Sequence, residues 1–204
     1  MLLNLIFQGE IEMAAKPGER KLQILQTVAQ MLEQPKGEKI TTAALAARLE
    51  LSEAALYRHF ASKAQMFEGL IEFIEQTVFG LINKITQEEK SGVKQIEATV
   101  SMLLGFAQKN RGMTRVLIGD ALVNEDERLQ QRINQMLDRI ETTLKQSLRM
   151  AATQGELGET VDVGAHANLL VCYVIGRWQQ FAKSGFARDP VAQWPAQAGV
   201  LLRK

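Results

Sequence analysis

Between Leu51 and Phe67 the chain reads LSEAALYRHFASKAQMF, with a phenol, a guanidinium, an imidazole and an ammonium inside seven consecutive positions, Tyr57 to Lys63. Tyr57, His59 and Lys63 carry N–H and O–H donors suited to backbone phosphates, while Arg58 or Glu53 has the geometry to reach base edges. Ala54 adds only a methyl group, so a helix bearing it can sit deep in a groove. Ser52 is placed to cap that helix, leaving free N–H groups at its start that favour an anion. Ten residues upstream, Thr41 and Thr42 open a preceding helix and offer hydroxyls to phosphates across the same groove. The chemistry these types point to is recognition of duplex DNA.

Such side chains act only if two short helices hold them at a fixed angle. Numbering from Thr42, the fifth residue is the small Ala46, the tenth Leu51 and the fifteenth Leu56, with Leu45 and Leu49 at the other inward positions. This is the pattern of a helix-turn-helix, in which a small residue sits where the helices cross and apolar ones lock them. The spacing predicts helices over 42–49 and 53–60. Glu50 occupies the turn position where glycine is usual, which predicts a left-handed non-glycine residue at a cost of about 1 kcal/mol. The competing reading is a helix-turn-helix used only for packing; the polar exposed arc favours DNA.

The rest of the chain supplies a helical frame. With 204 residues, 46% of them apolar, it can bury a sizeable core without disulfide staples. A net charge of +1 excludes a polybasic protein, so any nucleic-acid contact must be a local patch. Cys172, the single cysteine, excludes an internal disulfide, fits a reducing cytoplasm, and reads as core packing within an apolar run. The opening MLLNLIFQG is too short to span a bilayer and lacks the features of a signal peptide. Its NLIFQG resembles a tag-removal site, and Met13 is an alternative start, so residues 1–12 stand outside the fold reading. Apolar spacing predicts a first helix from residue 18, stopped by Pro35 and Gly37. A long helix over 63–86 follows, its start marked by a Ser62–Gln65 capping box. Further helices are predicted over 93–110, 113–123, 125–152, 163–186 and 191–202, with no strand.

Other chemistry finds little support. His166 has no second ligand at metal spacing, so neither metal nor cofactor is expected. Met31, Met66, Met113 and Met136 follow helical faces and read as gap-filling core. The carboxylates of GDALVNEDERLQ read as a solvated helix start. No nucleophile elbow, phosphate loop or catalytic triad is present, which argues against an enzyme. LLVCYVIGRWQQF is apolar on more faces than one bundle can bury, and Gly176 permits close helix approach. A two-fold homodimer through the last two helices is expected, anchored by Gly176, Trp178 and Trp194.

The stretch ITTAALAARLELSEAALYRHFASKAQMF resembles the N-terminal signature of the TetR family, in which a tyrosine, a histidine-phenylalanine pair and a lysine follow at this spacing. The resemblance implies an all-α fold: a three-helix DNA-binding domain with a helix-turn-helix, then a helical C-terminal dimerisation domain. ALYRHF, LIEFIE, LLGF, NRGMTR and RLQQRINQMLDRIE further resemble the nucleoid-occlusion members of that family, over nearly all of the chain after residue 18. That likeness implies a homodimer on palindromic chromosomal sites, cytoplasmic and nucleoid-associated, that antagonises assembly of the tubulin-like division protein FtsZ. It also implies a groove for the FtsZ C-terminal tail between the fourth and fifth helices, carried by Phe73, Ile74, Met102, Gly105, Lys109 and Asn110. Leu81 stands where a basic residue is expected and Arg111 replaces a proline. Physically, Gly105 lets a peptide backbone approach, Phe73 and Met102 offer apolar contact, and Lys109 can pair with an acidic peptide. Without the resemblance, Phe73 and Met102 read as interdomain core.

The domains expected are an arm over 1–17, disordered or tag-like, a DNA-binding domain over 18–64, and a dimerisation and partner-binding domain over 65–204. The alternative function is a ligand-responsive TetR-type repressor, which needs an apolar cavity inside the C-terminal bundle.

Overall fold

The computed structural model describes residues 17–34, 40–158 and 161–202. The expected arm before Pro17 and the helix stop at Pro35 and Gly37 lie outside the described residues. Among the described residues the chain is all helical. Three helices come first: α1 (Pro17–Leu32), α2 (Thr42–Arg48) and α3 (Glu53–Tyr57). Then follow α4 (Lys63–Glu88), α5 (Gly92–Lys109), α6 (Arg111–Leu117), a 3-10 turn at Asp120–Leu122, α7 (Glu127–Thr153), α8 (Val163–Lys183) and α9 (Trp194–Leu201).

The long helices form because their apolar residues recur at three- and four-residue steps. In α7, Leu129, Ile133, Met136, Ile140, Leu144 and Leu148 are all buried, making one stripe that packs on α8 and α5. Their starts are written locally. Ser62 Oγ accepts from the Gln65 N–H at 3.2 Å while Gln65 Oε1 accepts from the Ala61 N–H at 2.9 Å, so the reciprocal bond reaches one residue further back than a strict capping box. Asp126 caps α7 through the Arg128 N–H, and the Arg128 guanidinium holds its carboxyl down at about 2.

Three helix ends close by the same six-to-one hydrogen bond. The Leu51 N–H reaches Ala46 O, Glu156 reaches Ala151 O and Phe186 reaches Phe181 O, each at 2.9 Å. The pivot residues are left-handed: Gly155 at φ 67° and Gly185 at φ 64°, but Glu50 at φ 54°. Closure of the last carbonyls therefore demands αL at each pivot, and at α2 a side-chain-bearing residue takes it. Glu50 is left-handed, as its place in the turn predicts. Leu45 and Leu56 beneath that turn are fully buried and Ala46 nearly so.

At the centre of the body Trp178 is fully buried, and its indole N–H donates to Leu103 O at 3.1 Å. A ring of this size with its one donor satisfied contributes on the order of 3 kcal/mol. Trp194 is also buried, its ring 5.5 Å from that of Tyr173. Both tryptophans thus tie α8 and α9 into their own chain, which corrects the expectation that they anchor a dimer. Cys172, expected in the core, is exposed. The apolar run of α8 points its indole inward and its cysteine out because six residues apart they stand about 120° from each other around the helix.

Helix boundaries differ where local backbone geometry cuts the pattern short. The segment expected over 113–123 is α6, then a left-handed Gly119 at φ 77°, then the 3-10 turn. α3 stops at Tyr57 rather than continuing to Phe60, because the His59 and Phe60 N–H groups both fold onto Leu56 O.

α1 packs on α6 and α4, joining the first three helices to the rest. A Cβ added to Gly112 would lie 1.9 Å from Ala29 O, so the backbones meet with no room for a side chain. Gly112→Ala is expected to destabilise by about 1–3 kcal/mol in urea unfolding, since a helix backbone must shift to admit it. Glu50→Gly is expected to leave the midpoint unchanged or raise stability by up to about 1 kcal/mol, because it relieves a left-handed residue while adding unfolded-state freedom.

Candidate nucleic-acid interface

The two capped helices set the site. Thr41 Oγ1 accepts from the Ala44 N–H and Ser52 Oγ from the Ala55 N–H, each at 3.1 Å. Both hydroxyls are thereby committed to holding helix starts, though each oxygen keeps its own hydrogen to donate. Thr42 Oγ1 donates to Glu53 Oε2 at 2.7 Å, bridging α2 to α3. That bond locks the two helices and turns the Glu53 carboxylate toward α2, so Glu53 acts first as a brace.

Thr41, Ser52, Glu53, Ala54, Tyr57 and Arg58 are exposed, while Thr42 and His59 are half-buried. Tyr57 is 44% exposed, whereas Leu56, about 100° around the helix from it, is at 0%. Among these residues no protein partner ties the Tyr57 hydroxyl or the Arg58 guanidinium to the helix pair, so both donors face outward. With α3 only five residues long, Arg58 and His59 leave from the turn after it, not from its face. The short helix also builds little macrodipole, so its start contributes N–H groups more than field.

Lys63 is placed differently from the sequence expectation. Its ammonium pairs with Glu125 Oε1, on the connection between α6 and α7, and lies 5.7 Å from the Phe67 ring centroid. It is turned back onto the body instead of being offered to a phosphate. No local signal marks this contact, because the partners lie 62 residues apart and Glu125 sits among carboxylates that read as a solvated helix start.

The residues of the expected partner groove divide. Ile74 is fully buried in the core and offers nothing to a ligand, a correction to its place in the groove. Phe73 and Met102 are partly buried and packed against that core. Beside them, nothing lies within 4 Å of where a Gly105 side chain would begin, so the backbone there is open to approach. Lys109 is exposed, and the Asn110 amide donates to Phe106 O at 2.7 Å. Lys109 and Asn110 also line a cleft of about 250 Å³ with Gln26 and Gln30 of α1 and Glu33 just after it, a neighbour that the helical periodicity of α5 did not indicate.

On α8, Leu169 is 50% exposed, and Cys172 and Gly176 share its face at helical spacing. Nothing lies within 4 Å of a Gly176 side chain. Val200 on α9 is 69% exposed. The unpartnered apolar surface of these helices is therefore made of small and aliphatic residues, with Gly176 on it and the tryptophans behind it. His166 Nε2 lies 2.7 Å from Leu201 O, which accounts for it as a structural histidine. Among the described residues no group of three or more His, Cys, Asp or Glu side chains could hold a metal ion, and no helix is long and apolar enough to cross a membrane.

Comparison with known proteins agrees with this geometry. Residues 29–70 match the family described as bacterial regulatory proteins, tetR family. Residues 90–204 match the SlmA-like family of tetracyclin repressor-like C-terminal domains. The chain is 50% identical over 191 residues to the nucleoid occlusion factor SlmA of Marinomonas sp., covering 94% of this chain and 97% of that one. It is 50% identical over 184 residues to the SlmA of Alteromonas mediterranea, covering 90% and 94%. The fold is shared with the solved transcriptional regulator FadR from Bacillus subtilis in complex with stearoyl-CoA, at TM-score 0.73 and 15% identity, covering 89% and 97%. Reading head and helical body alike, the chain belongs to the TetR family, among its nucleoid occlusion factors.

Proposed function

We propose that the chain acts as a homodimer on palindromic chromosomal sites and, when DNA-bound, antagonises FtsZ ring assembly over the nucleoid by holding the FtsZ C-terminal tail. The observation that carries this is identity of one half that runs through both the reading head and the body of named occlusion factors. Identity confined to the head would support only DNA binding. In this reading residues 18–64 form the DNA-binding domain and 65–204 the dimerisation and partner-binding domain, and the protein is a nucleoid-associated regulator and not an enzyme. The exposed α8–α9 face around Leu169, Gly176 and Val200 pairs two copies, and the two α3 helices then lie about one DNA turn apart.

On DNA, Tyr57, His59 and the hydroxyls of Thr41 and Ser52 grip phosphates, Ala54 lies against the groove, and Arg58 reaches a base edge while Glu53, holding the Thr42 hydroxyl, braces α2. The tail of FtsZ lies over Gly105, with Phe73 and Met102 as apolar contacts and Lys109 and Asn110 at its polar end. A disordered tail loses conformational entropy on docking, so single contacts are weak, and a polymer meeting several DNA-bound dimers supplies avidity.

Tyr57→Ala is expected to weaken binding to specific and random duplexes alike while leaving the salt dependence nearly unchanged, because the lost phosphate contact is uncharged. Arg58→Ala is expected to relax sequence preference by about 1–3 kcal/mol as well. Titration against both duplexes at two salt concentrations checks this, and parent-like binding by both variants would refute the docking. For the partner, Lys109→Glu and Met102→Glu are each expected to abolish the rise in anisotropy of a labelled FtsZ tail peptide on adding the protein, while leaving DNA affinity nearly intact. No peptide binding by the parent, with or without DNA, together with tight binding of a small apolar ligand, would favour a ligand-responsive repressor.

A further inference from the structure

We infer that Glu125 is an intramolecular competitor for the DNA backbone: it holds Lys63 on the body and gives it up to a phosphate when the reading head docks. The inference rests on the DNA-binding reading of α3 and adds a regulator of that contact. Lys63 opens α4 four residues after His59, so its backbone position is fixed by the same Ser62–Gln65 cap that follows the recognition segment. Its side chain nevertheless reaches back to Glu125. A carboxylate and a phosphate are interchangeable partners for a lysine ammonium, which binds either as a compact point charge. One Lys63 side chain on a flexible stem thus has two anions to choose between.

The site is built for exchange. Side-chain exposure is 23% for Lys63 and 15% for Glu125, enough water contact for the pair to open and enough burial for it to matter when closed. A cavity of about 260 Å³ adjoins the pair, lined by Phe67, Ala121, Val123 and Asn124. The ammonium can therefore swing without repacking the core. Glu125 itself is aimed by backbone geometry: Asn124 before it is left-handed at φ 65°, and the connection begins at left-handed Gly119. At the other end of that connection Asp120 meets Arg115 Nη1 at 3.4 Å and the Lys183 ammonium. Carboxylate–cation contacts hold this connection to α4, α6 and α8, and Lys63 is the one cation among them that begins a helix beside the reading head. Its transfer to DNA removes one of those holds from the α6–α7 connection, so DNA occupancy is reported to the body.

The test is a double-mutant cycle on the full chain with E125Q, K63Q and both, titrated against specific duplex at low and moderate salt. Competition predicts that E125Q tightens DNA binding by about two- to fivefold, that K63Q weakens it and flattens the salt slope, and that E125Q has no further effect in the K63Q background. An equal gain from E125Q in that background would overturn the inference, because simple removal of a negative charge acts without Lys63. Weaker binding by E125Q would also overturn it, making Glu125 a holder that orients Lys63. Hydrogen exchange of backbone amides in 119–126 gives an independent readout: addition of duplex to the parent should speed exchange there, and unchanged or slower exchange would count against release. Failure of the parent to bind any duplex would remove the DNA reading itself, whereas parental binding with an uncoupled cycle removes only this one.

Discussion

The approach of α1 to α6 at Ala29 and Gly112 is the contact on which the rest of the molecule depends. A helix surface ordinarily keeps its neighbour's axis eight to ten ångströms away, and a missing side chain is what lets two backbones meet. Here a Cβ would fall on main chain at two such junctions: at Gly112, 1.9 Å from Ala29 O, and at Gly92, 2.3 Å from the Ala151 nitrogen. The first seats the reading head on the body, and the second seats the start of α5 on the end of α7. Because both contacts are backbone on backbone, they are rigid, and a displacement of α6 is passed directly to α1.

Around those rigid seats the polar groups are placed to prevent sliding. Gln95 donates to Thr86 O and Glu89 O while accepting from Ser147, so one buried amide satisfies the turn between α4 and α5 and ties it to α7. Thr114 donates within the α5–α6 corner. Arg132 of α7 reaches Glu75 of α4 at 2.7 Å, and that hydrogen-bonded carboxylate raises the pKa of its guanidinium. Buried groups such as Gln95, Ser147 and Thr114 cost much more unpaired than they return when paired, so they favour one register over all others. Beyond the rigid α1 seat, the head is held by softer means. Apart from α1, it is linked to the body through the start of α4 and the Lys63–Glu125 pair, an interaction that water can enter.

That division of rigid and soft junctions suits a protein whose surfaces carry separate tasks. The recognition segment is fixed against α2 by the Thr42–Glu53 hydrogen bond and the closed turn at Glu50, so its geometry does not wait for DNA. The open backbone at Gly105 and the small-residue face at Gly176 sit on helices locked by Trp178. Each glycine marks a surface left open, whereas Gly112 and Gly92 mark interiors already filled; composition alone does not separate the two kinds.

The sequence by itself determined what is settled within a few residues. Ser52 and Ser62 cap their helices, Leu56 turns inward, and Glu50 is left-handed, because each follows from hydrogen bonds and sterics that span at most five positions. Met31, Met66, Met113 and Met136 fell on the core because helical period is local too. Tertiary structure alone decided what depends on distant partners. Ile74, set by family likeness in a groove, is core because α5 and α7 close over that stripe of α4. Trp178 and Trp194 face their own chain because the Leu103 carbonyl and the Tyr173 ring are there to receive them. Cys172 is exposed because the same rotation carries it out. Lys63 points to Glu125 rather than to solvent because the α6–α7 connection brings a carboxylate across 62 positions of chain. A side chain's type states what it can bond to, and only the packing of remote elements states which partner comes within reach.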